Sequence, residues 1–169
     1  MCLLPTKFMM TIAPMDRETV AGSQVPATKP TFIPPPDPPL GILSISTAED
    51  DHSAVRQSCS GISCWIETAE SCDTAFQRLS HGRTSIVFCE RDLPDGTWRN
   101  ILEYLWSTAE RPPLIVTSRT ADESLWAEVL NLGGYDVLAK PLEIKEVRHA
   151  LQTAYRENRH GSRACRAAG

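Results

Sequence analysis

The sequence predicts an α/β protein built on a doubly wound, five-stranded parallel sheet. Between residues 41 and 157, short apolar runs alternate with amphipathic stretches, and there are five of each. Strict alternation of strands and helices is typical of parallel sheets that have right-handed crossovers and helices on both faces. The chain of 169 residues is long enough for one such domain with additional tails.

The strands are predicted at short apolar runs enriched in β-branched residues. These runs are 41–46, 63–69, 85–89, 113–118 and 135–139. The helices are predicted at amphipathic segments between and after them, namely 48–59, 71–80, 97–108, 122–132 and 143–156. The last helix places Ile144, Val147, Leu151 and Ala154 along one face, which we expect to pack on the sheet.

The first helix has a typical start signal. Thr47 is followed three residues later by Asp50, a variant of the capping box in which the threonine hydroxyl caps the helix. The acidic run from Glu49 to Asp51 then falls in the first turn, where negative charge favours the helix dipole. We therefore expect these carboxylates to stabilise the helix rather than to belong to a site.

Composition divides the chain into three parts. Residues 1–40 contain most of the 13 prolines and show no helical or strand period, which predicts a disordered proline-rich arm. Residues 41–157 carry the alternating pattern and are expected to form the folded domain. Residues 158–169 are basic, small and aperiodic, which predicts a flexible tail.

Charge, hydropathy and cysteine spacing exclude several classes of function. The net charge is −4 without a basic stripe, so we expect no nucleic-acid partner. No apolar run approaches the roughly 20 residues that span a bilayer, and the N-terminus lacks the pattern of a signal peptide. The six cysteines form no CxxC pair and have no histidine at zinc-binding spacing, so we expect reduced thiols, no metal and a cytoplasmic location. No glycine-rich loop follows the first strand, and we therefore expect no nucleotide or flavin cofactor.

Polar residues stand at the predicted ends of four strands. Doubly wound sheets bind their ligands at the carboxyl ends of the strands, so these residues are the candidates for a functional site. They are Ser46, Thr47, Glu90, Thr117 and Lys140.

Three of these strand ends resemble one known family. The third strand leads into ERDLPDG, the fourth ends in IVTS and the fifth ends in GGYDVLAKP. In this order, the motifs resemble the receiver domains of two-component response regulators, and the resemblance covers residues 41–157. It implies a flavodoxin-like sheet with strand order 2-1-3-4-5, a role in phosphorelay signalling and a protein partner. It also implies that the fourth helix, fifth strand and fifth helix form a contact face, including a face for homodimerisation.

The same resemblance suggests a role for each candidate residue. The phosphoacceptor aspartate of the family lies four residues before the loop proline, Pro94, and that position holds Glu90. The family's phosphoryl-binding hydroxyl falls on Thr117, and its lysine falls on Lys140.

The magnesium-binding acidic pair of the family falls on Ser46 and Thr47. Because both the pair and the acceptor aspartate are replaced, the resemblance implies a pseudo-receiver that is not phosphorylated and is not an enzyme. One carboxylate would then face one ammonium group. Glu90 is longer than aspartate and could reach Lys140 and Thr117, so the site is either a permanent imitation of the phosphorylated state or merely vacant.

Two other chemistries remain open. Asp92 or Asp95 could serve as a non-standard phosphoacceptor, although the sequence LPDG is typical of a tight turn. Cys89 could serve as the nucleophile of a cysteine-dependent enzyme, because it lies at a strand end beside an acid. As the last residue of an apolar strand, however, Cys89 is more typical of a buried core thiol.

Overall fold

The computed structural model describes the backbone of residues 39–167 and the side chains of residues 39–158. The predicted arm, residues 1–40, lies outside this range except for its last two positions. Within the described range, every helix is too short or too polar to cross a membrane.

The described residues form seven strands in two sheets. In chain order they are β1 (Leu40–Ile45), β2 (Cys64–Ala69), β3 (Ile86–Glu90), β4 (Asp92–Leu93), β5 (Gly96–Thr97), β6 (Leu114–Ser118) and β7 (Asp136–Ala139). Five of them form a parallel sheet in the order β2-β1-β3-β6-β7. Counted among the five long strands alone, this is the predicted order 2-1-3-4-5. Strands β4 and β5 form a short antiparallel hairpin that the sequence analysis did not identify.

Between residues 39 and 167, five helices connect and flank the strands. They are α1 (Glu49–Ser58), α2 (Cys72–Leu79), α3 (Trp98–Ser107), α4 (Glu123–Asn131) and α5 (Ile144–Ala167). The first four lie within one residue of their predicted limits. The predicted end of the fifth, at residue 156, is wrong, because α5 continues to Ala167. The added segment has no proline and contains several arginines and alanines, which favour a helix.

The sheet separates two layers of apolar side chains. Helices α2, α3 and α4 pack on one face, where their buried side chains form one apolar cluster with Leu43 and Ile45 of β1. Helices α1 and α5 pack on the other face, where their buried side chains form a second apolar cluster with Leu40 and Ile42 of the same strand. Every residue of β1 is buried, as expected for a central strand covered on both sides. Its polar end is therefore held in a fixed position at the edge of the sheet.

The start of α1 differs from the prediction. The N-cap residue is Ala48 rather than Thr47, and no side chain caps the helix. The hydroxyl of Thr47 instead lies 3.3 Å from a carboxylate oxygen of Glu90, which explains why it is not available to the helix. The amide of Ala48 donates to the hydroxyl of Ser46 at 3.1 Å. Glu49 and Asp51 remain in the first turn of the helix, but Asp51 has a second role that is described below.

Candidate functional site

The carboxyl edge of the sheet brings the predicted residues together. Ser46 and Thr47 follow β1, Glu90 ends β3, and Lys140 follows β7. The register pairs Glu90 of β3 with Thr117 of β6, so these two residues are neighbours across the sheet. These polar side chains therefore follow or lie within neighbouring parallel strands.

Glu90 and Lys140 form the ion pair that the sequence analysis anticipated. The ammonium nitrogen Nζ of Lys140 donates to Oε1 of Glu90 at 2.5 Å. The lysine side chain is only 6% exposed and the glutamate side chain 19% exposed. A charge pair shielded from water to this degree interacts more strongly than a pair on an open surface.

Asp51 is a functional residue that the sequence analysis missed. Its Oδ2 lies 2.5 Å from Nζ of Lys140, and its side chain is 9% exposed. The same oxygen accepts a hydrogen bond from the hydroxyl of Ser46 at 2.5 Å. The expectation that one carboxylate faces one ammonium group is therefore wrong, because two carboxylates share one lysine.

Ser46 and Thr47 act as hydrogen-bond donors. The hydroxyl of Ser46 lies 2.9 Å from Oε2 of Glu90, and the backbone amide of Thr47 donates to the same oxygen at 3.2 Å. Since a serine hydroxyl carries a single proton, it can donate to only one of its two carboxylate neighbours at a time. In the two positions where the receiver resemblance places carboxylates, this chain therefore has donors that stabilise a carboxylate.

Thr117 does not make the predicted contact. Among the described residues, the carboxylate of Glu90 accepts hydrogen bonds from Ser46, Thr47 and Lys140. Thr117 is buried beside Glu90, and its backbone carbonyl accepts the amide of Arg91. The expected hydrogen bond from the Thr117 hydroxyl to Glu90 is wrong, because the shared lysine and the β1 end hold the carboxylate instead.

The surroundings of Glu90 favour its ionised form. Burial alone would raise the pKa of this carboxyl group. Hydrogen bonds from Lys140, from the amide of Thr47 and from Ser46 outweigh burial and hold the pKa below its ordinary value of 4.5. The ion pair is therefore present at neutral pH.

This pKa shift predicts an acid-sensitive contribution to stability. A carboxylate whose pKa is lowered by folding stabilises the protein fully above its ordinary pKa of 4.5, and this stabilisation is lost as the pH falls through the lower folded pKa. When the pH is lowered from 7 to about 3, the free energy of unfolding measured in urea should fall more for the native chain than for Glu90→Gln. Equal losses in the two proteins would show that Glu90 is not stabilised in its charged form.

The residues at this edge do not fit a magnesium ion. Mg²⁺ prefers several oxygen ligands, usually carboxylates and water. Here the two carboxylates are bound to an ammonium group, and the neighbouring positions hold hydroxyls. No group of three or more acidic, histidine or cysteine side chains suited to a metal occurs in the part of the chain that the structure describes.

The two alternative acceptors have other contacts. Asp92 is exposed on the β4–β5 hairpin, with Arg91 at 3.7 Å. Asp95 lies in the turn of that hairpin, and its two oxygens accept the backbone amides of Cys72 and Asp73 at 2.7 and 2.9 Å. It therefore binds the amino end of α2, which is more than the turn role that the sequence predicts.

Cys89 is part of the core. Its side chain is fully buried, and its thiol lies 3.2 Å from the backbone carbonyl of Glu90. Burial raises the pKa of the Cys89 thiol well above its usual range. A nucleophilic cysteine needs an accessible thiolate, so these surroundings argue against the cysteine-enzyme alternative.

Comparisons with known structures give one consistent fold. A signal receiver domain from Vibrio parahaemolyticus is 13% identical, with 75% of this chain and 98% of that chain covered and a TM-score of 0.69. The signal receiver domain of an HD domain-containing protein from Pseudomonas fluorescens is 22% identical, with 73% and 99% covered and a TM-score of 0.65. The beryllofluoride-activated NtrC4 receiver domain dimer is 16% identical, with 70% and 98% covered and a TM-score of 0.64.

At these identities the structural neighbours establish the fold alone, which is the flavodoxin-like fold of receivers. No curated protein sequence matches the chain. The family model of the response regulator receiver domain matches residues 43–152, which is more than half of the sequence. From the fold and this match together, we conclude that the chain belongs to the response regulator receiver domain family of two-component signalling.

Proposed function

We propose that this receiver domain works without phosphoryl transfer and acts through contacts with a protein partner. The observation that carries the proposal is the position of Lys140, whose ammonium group lies 2.5 Å from both Asp51 and Glu90. In the family that the chain belongs to, the lysine at this position serves the phosphorylation site. Here its charge is already balanced within the chain.

We assign the proposed site residues from the motifs at the strand ends, which resemble those of receiver domains. Glu90 takes the position of the phosphoacceptor, Ser46 and Thr47 take the positions of the acidic pair, and Thr117 and Lys140 take the positions of the phosphoryl-binding residues. A site that has a glutamate at the acceptor position and hydroxyls in place of the acidic pair lacks the carboxylates that would hold Mg²⁺. Without that cation, the negative charge of an incoming phosphoryl group would add to the two carboxylates already present.

We also propose that the pocket is locked and does not imitate the phosphorylated state. A phosphoryl group offers three oxygens and nearly two negative charges, whereas a carboxylate offers two oxygens and one charge. The carboxylate of Glu90 uses one oxygen for Lys140 and the other for Ser46 and Thr47. Among the described residues, neither oxygen accepts a hydrogen bond from Thr117, the hydroxyl that grips the phosphoryl group in the family.

The face formed by α4, β7 and α5 is the proposed contact surface. Trp126 of α4 and Ile144 of α5 are large apolar side chains that are 49% and 40% exposed. A depression of about 520 Å³ lies on the same face, between Val137, Leu138 and His149. Exposed apolar groups of this kind mark surfaces for protein partners, including a second copy of the chain.

The residues before Lys140 differ from the pattern that is common in receivers, which fits a domain that works without phosphoryl transfer. The position that often carries an aromatic residue in receivers, three residues before the lysine, holds Val137. The nearby Tyr135 packs on the side of α1 and α5, where burial and a hydrogen bond with Glu157 raise its pKa to about 12.

The cysteines of the described range are free thiols, which supports a reducing compartment such as the cytoplasm.

Incubation with a small acyl phosphate and Mg²⁺, followed by intact mass spectrometry, tests the proposal. The native chain should show no gain of a phosphoryl group, because its lysine is already paired with two carboxylates and the pocket does not fit a metal ion. A well-behaved receiver that carries the acceptor aspartate serves as the positive control. A stable gain of one phosphoryl group in the native chain would contradict the proposal, and loss of that gain in Asp92→Asn or Asp95→Asn would identify the acceptor.

A further inference from the structure

A groove between α2 and α3 lies outside the pocket described above. It has a volume of about 430 Å³. Its floor contains Phe76 and Tyr104, whose rings are stacked with their centroids 4.8 Å apart. An aromatic floor between two exposed helix edges can accept a flat or elongated side chain from another molecule.

The charged side chains that line the groove are acidic. They are Asp73 of α2, Asp95 of the β4–β5 hairpin and Glu103 of α3, and no lysine, arginine or histidine of the described residues lines it. Asp95 remains charged because the amides at the start of α2 donate to both of its oxygens. A guanidinium group suits such a surface, since it pairs with carboxylates and stacks on aromatic rings.

The same chain contains a basic helical segment. Helix α5 continues to Ala167, which lies about 20 Å along the helix from Ala154, the last residue described as buried, at about 1.5 Å per residue, and Asn158 between them donates to the carbonyl of Ser85 at 3.3 Å. Arginines occupy positions 156, 159, 163 and 166 of this extension. The spacing of three, four and three residues places these positions along one stripe of a helix.

The arginine stripe and the groove belong to different sides of the molecule. In α5, position 156 lies two residues after Ala154, which is about 200° around the helix from the core-facing row. Moreover, α5 packs on the opposite face of the sheet from α2 and α3. A contact between these positions and the groove is therefore expected between two copies of the chain rather than within one copy.

We propose that the α2–α3 groove binds the C-terminal extension of α5 from a second copy of this chain. The arginines at positions 156, 159, 163 and 166 would pair with Asp73, Asp95 and Glu103, and one guanidinium group would stack on the Phe76–Tyr104 floor. Exposed ion pairs contribute little individually, so several must act together, and the association is weak and sensitive to salt. This contact does not depend on the state of Lys140, and it uses the end of α5 rather than the residues of α5 that line the depression beside β7.

Sedimentation velocity of the full chain at low and high salt tests the proposal. The native chain should self-associate at low salt and dissociate at high salt. Asp73→Lys with Glu103→Lys, or Arg159→Glu with Arg163→Glu, should each weaken association at least about tenfold, equal to about 1.4 kcal/mol. Combining all four substitutions should restore association, because the charges are then exchanged between the two surfaces. The matched control, Asp50→Lys with Glu110→Lys, makes the same change of charge at exposed positions outside the groove and should associate as the native chain does.

Three outcomes would overturn the proposal. One is a native chain that stays monomeric at both salt concentrations. Another is a groove variant that associates as strongly as the native chain. The last is a four-substitution variant that associates as weakly as the two parental variants. If the two surfaces are in direct contact, reversing the charges on both should restore association.

Discussion

Replacing Lys140 with methionine should lower the free energy of unfolding by about 3–5 kcal/mol, because the change leaves buried charge without its partner. The lysine side chain is 6% exposed and is bound to both Asp51 and Glu90. Methionine fills a similar volume but carries no charge, so the two carboxylates would face each other across the pocket without a cation. Two like charges brought together in a shielded site repel each other and are strongly disfavoured.

Thermal unfolding followed by circular dichroism would measure this effect. A loss of 3–5 kcal/mol corresponds to a fall in Tm of about 10–20 °C for a domain of this size. Lys145→Met is the matched control, because Lys145 is an exposed lysine of α5 and surface substitutions usually change stability by less than about 0.5 kcal/mol. Similar melting temperatures for the two variants would contradict a buried role for Lys140.

Replacing Trp98 with alanine should also cost about 3–5 kcal/mol, the usual range for removing a buried tryptophan. Trp98 is the first residue of α3 and is 1% exposed in the core between the sheet and α2, α3 and α4. Its backbone amide donates to the carbonyl of Arg91 at 3.1 Å, which joins the start of the helix to the segment after Glu90. The cavity left by the side chain could not be filled without moving this segment.

The chain provides its own controls for this prediction. Trp106 and Trp126 also lie on helices but are each 49% exposed. Alanine at either position should lower the free energy of unfolding by at most about half as much as at Trp98, because half of the side chain already contacts water. Equal losses at all three tryptophans, measured by urea unfolding, would show that Trp98 is not the core residue among them.

The sequence predicted most of the fold because alternating apolar periods determine strands and helices in a doubly wound sheet. The limits of the strands and of the first four helices agree within about a residue, and the strand order follows from the receiver resemblance. The hairpin after Glu90 was missed because strands of two residues carry no measurable period. The end of α5 was missed because its last turns have no apolar face.

The site was predicted in part. Glu90 and Lys140 stand beside strand-end signals in the sequence, and their pairing followed from the absence of other carboxylates at the strand ends. Asp51 was assigned to the helix dipole because it ends an acidic run in a first helical turn. The helix begins at Glu49 with Ala48 as its N-cap, and from this start Asp51, the third residue of the acidic run, reaches Lys140. A one-residue shift in a helix start turns a side chain by about 100°, which a sequence pattern cannot resolve.

The most direct test of the charge cluster compares two variants that both lack Lys140, by urea unfolding at neutral pH. In the double variant Glu90→Gln with Lys140→Met, Asp51 remains as a buried charge without a partner, so only part of the lost stability should return. In the triple variant, which adds Asp51→Asn, most of the loss should be recovered, because no unpaired charge remains. Full recovery in the double variant, or no further gain in the triple variant, would contradict a lysine shared by two carboxylates.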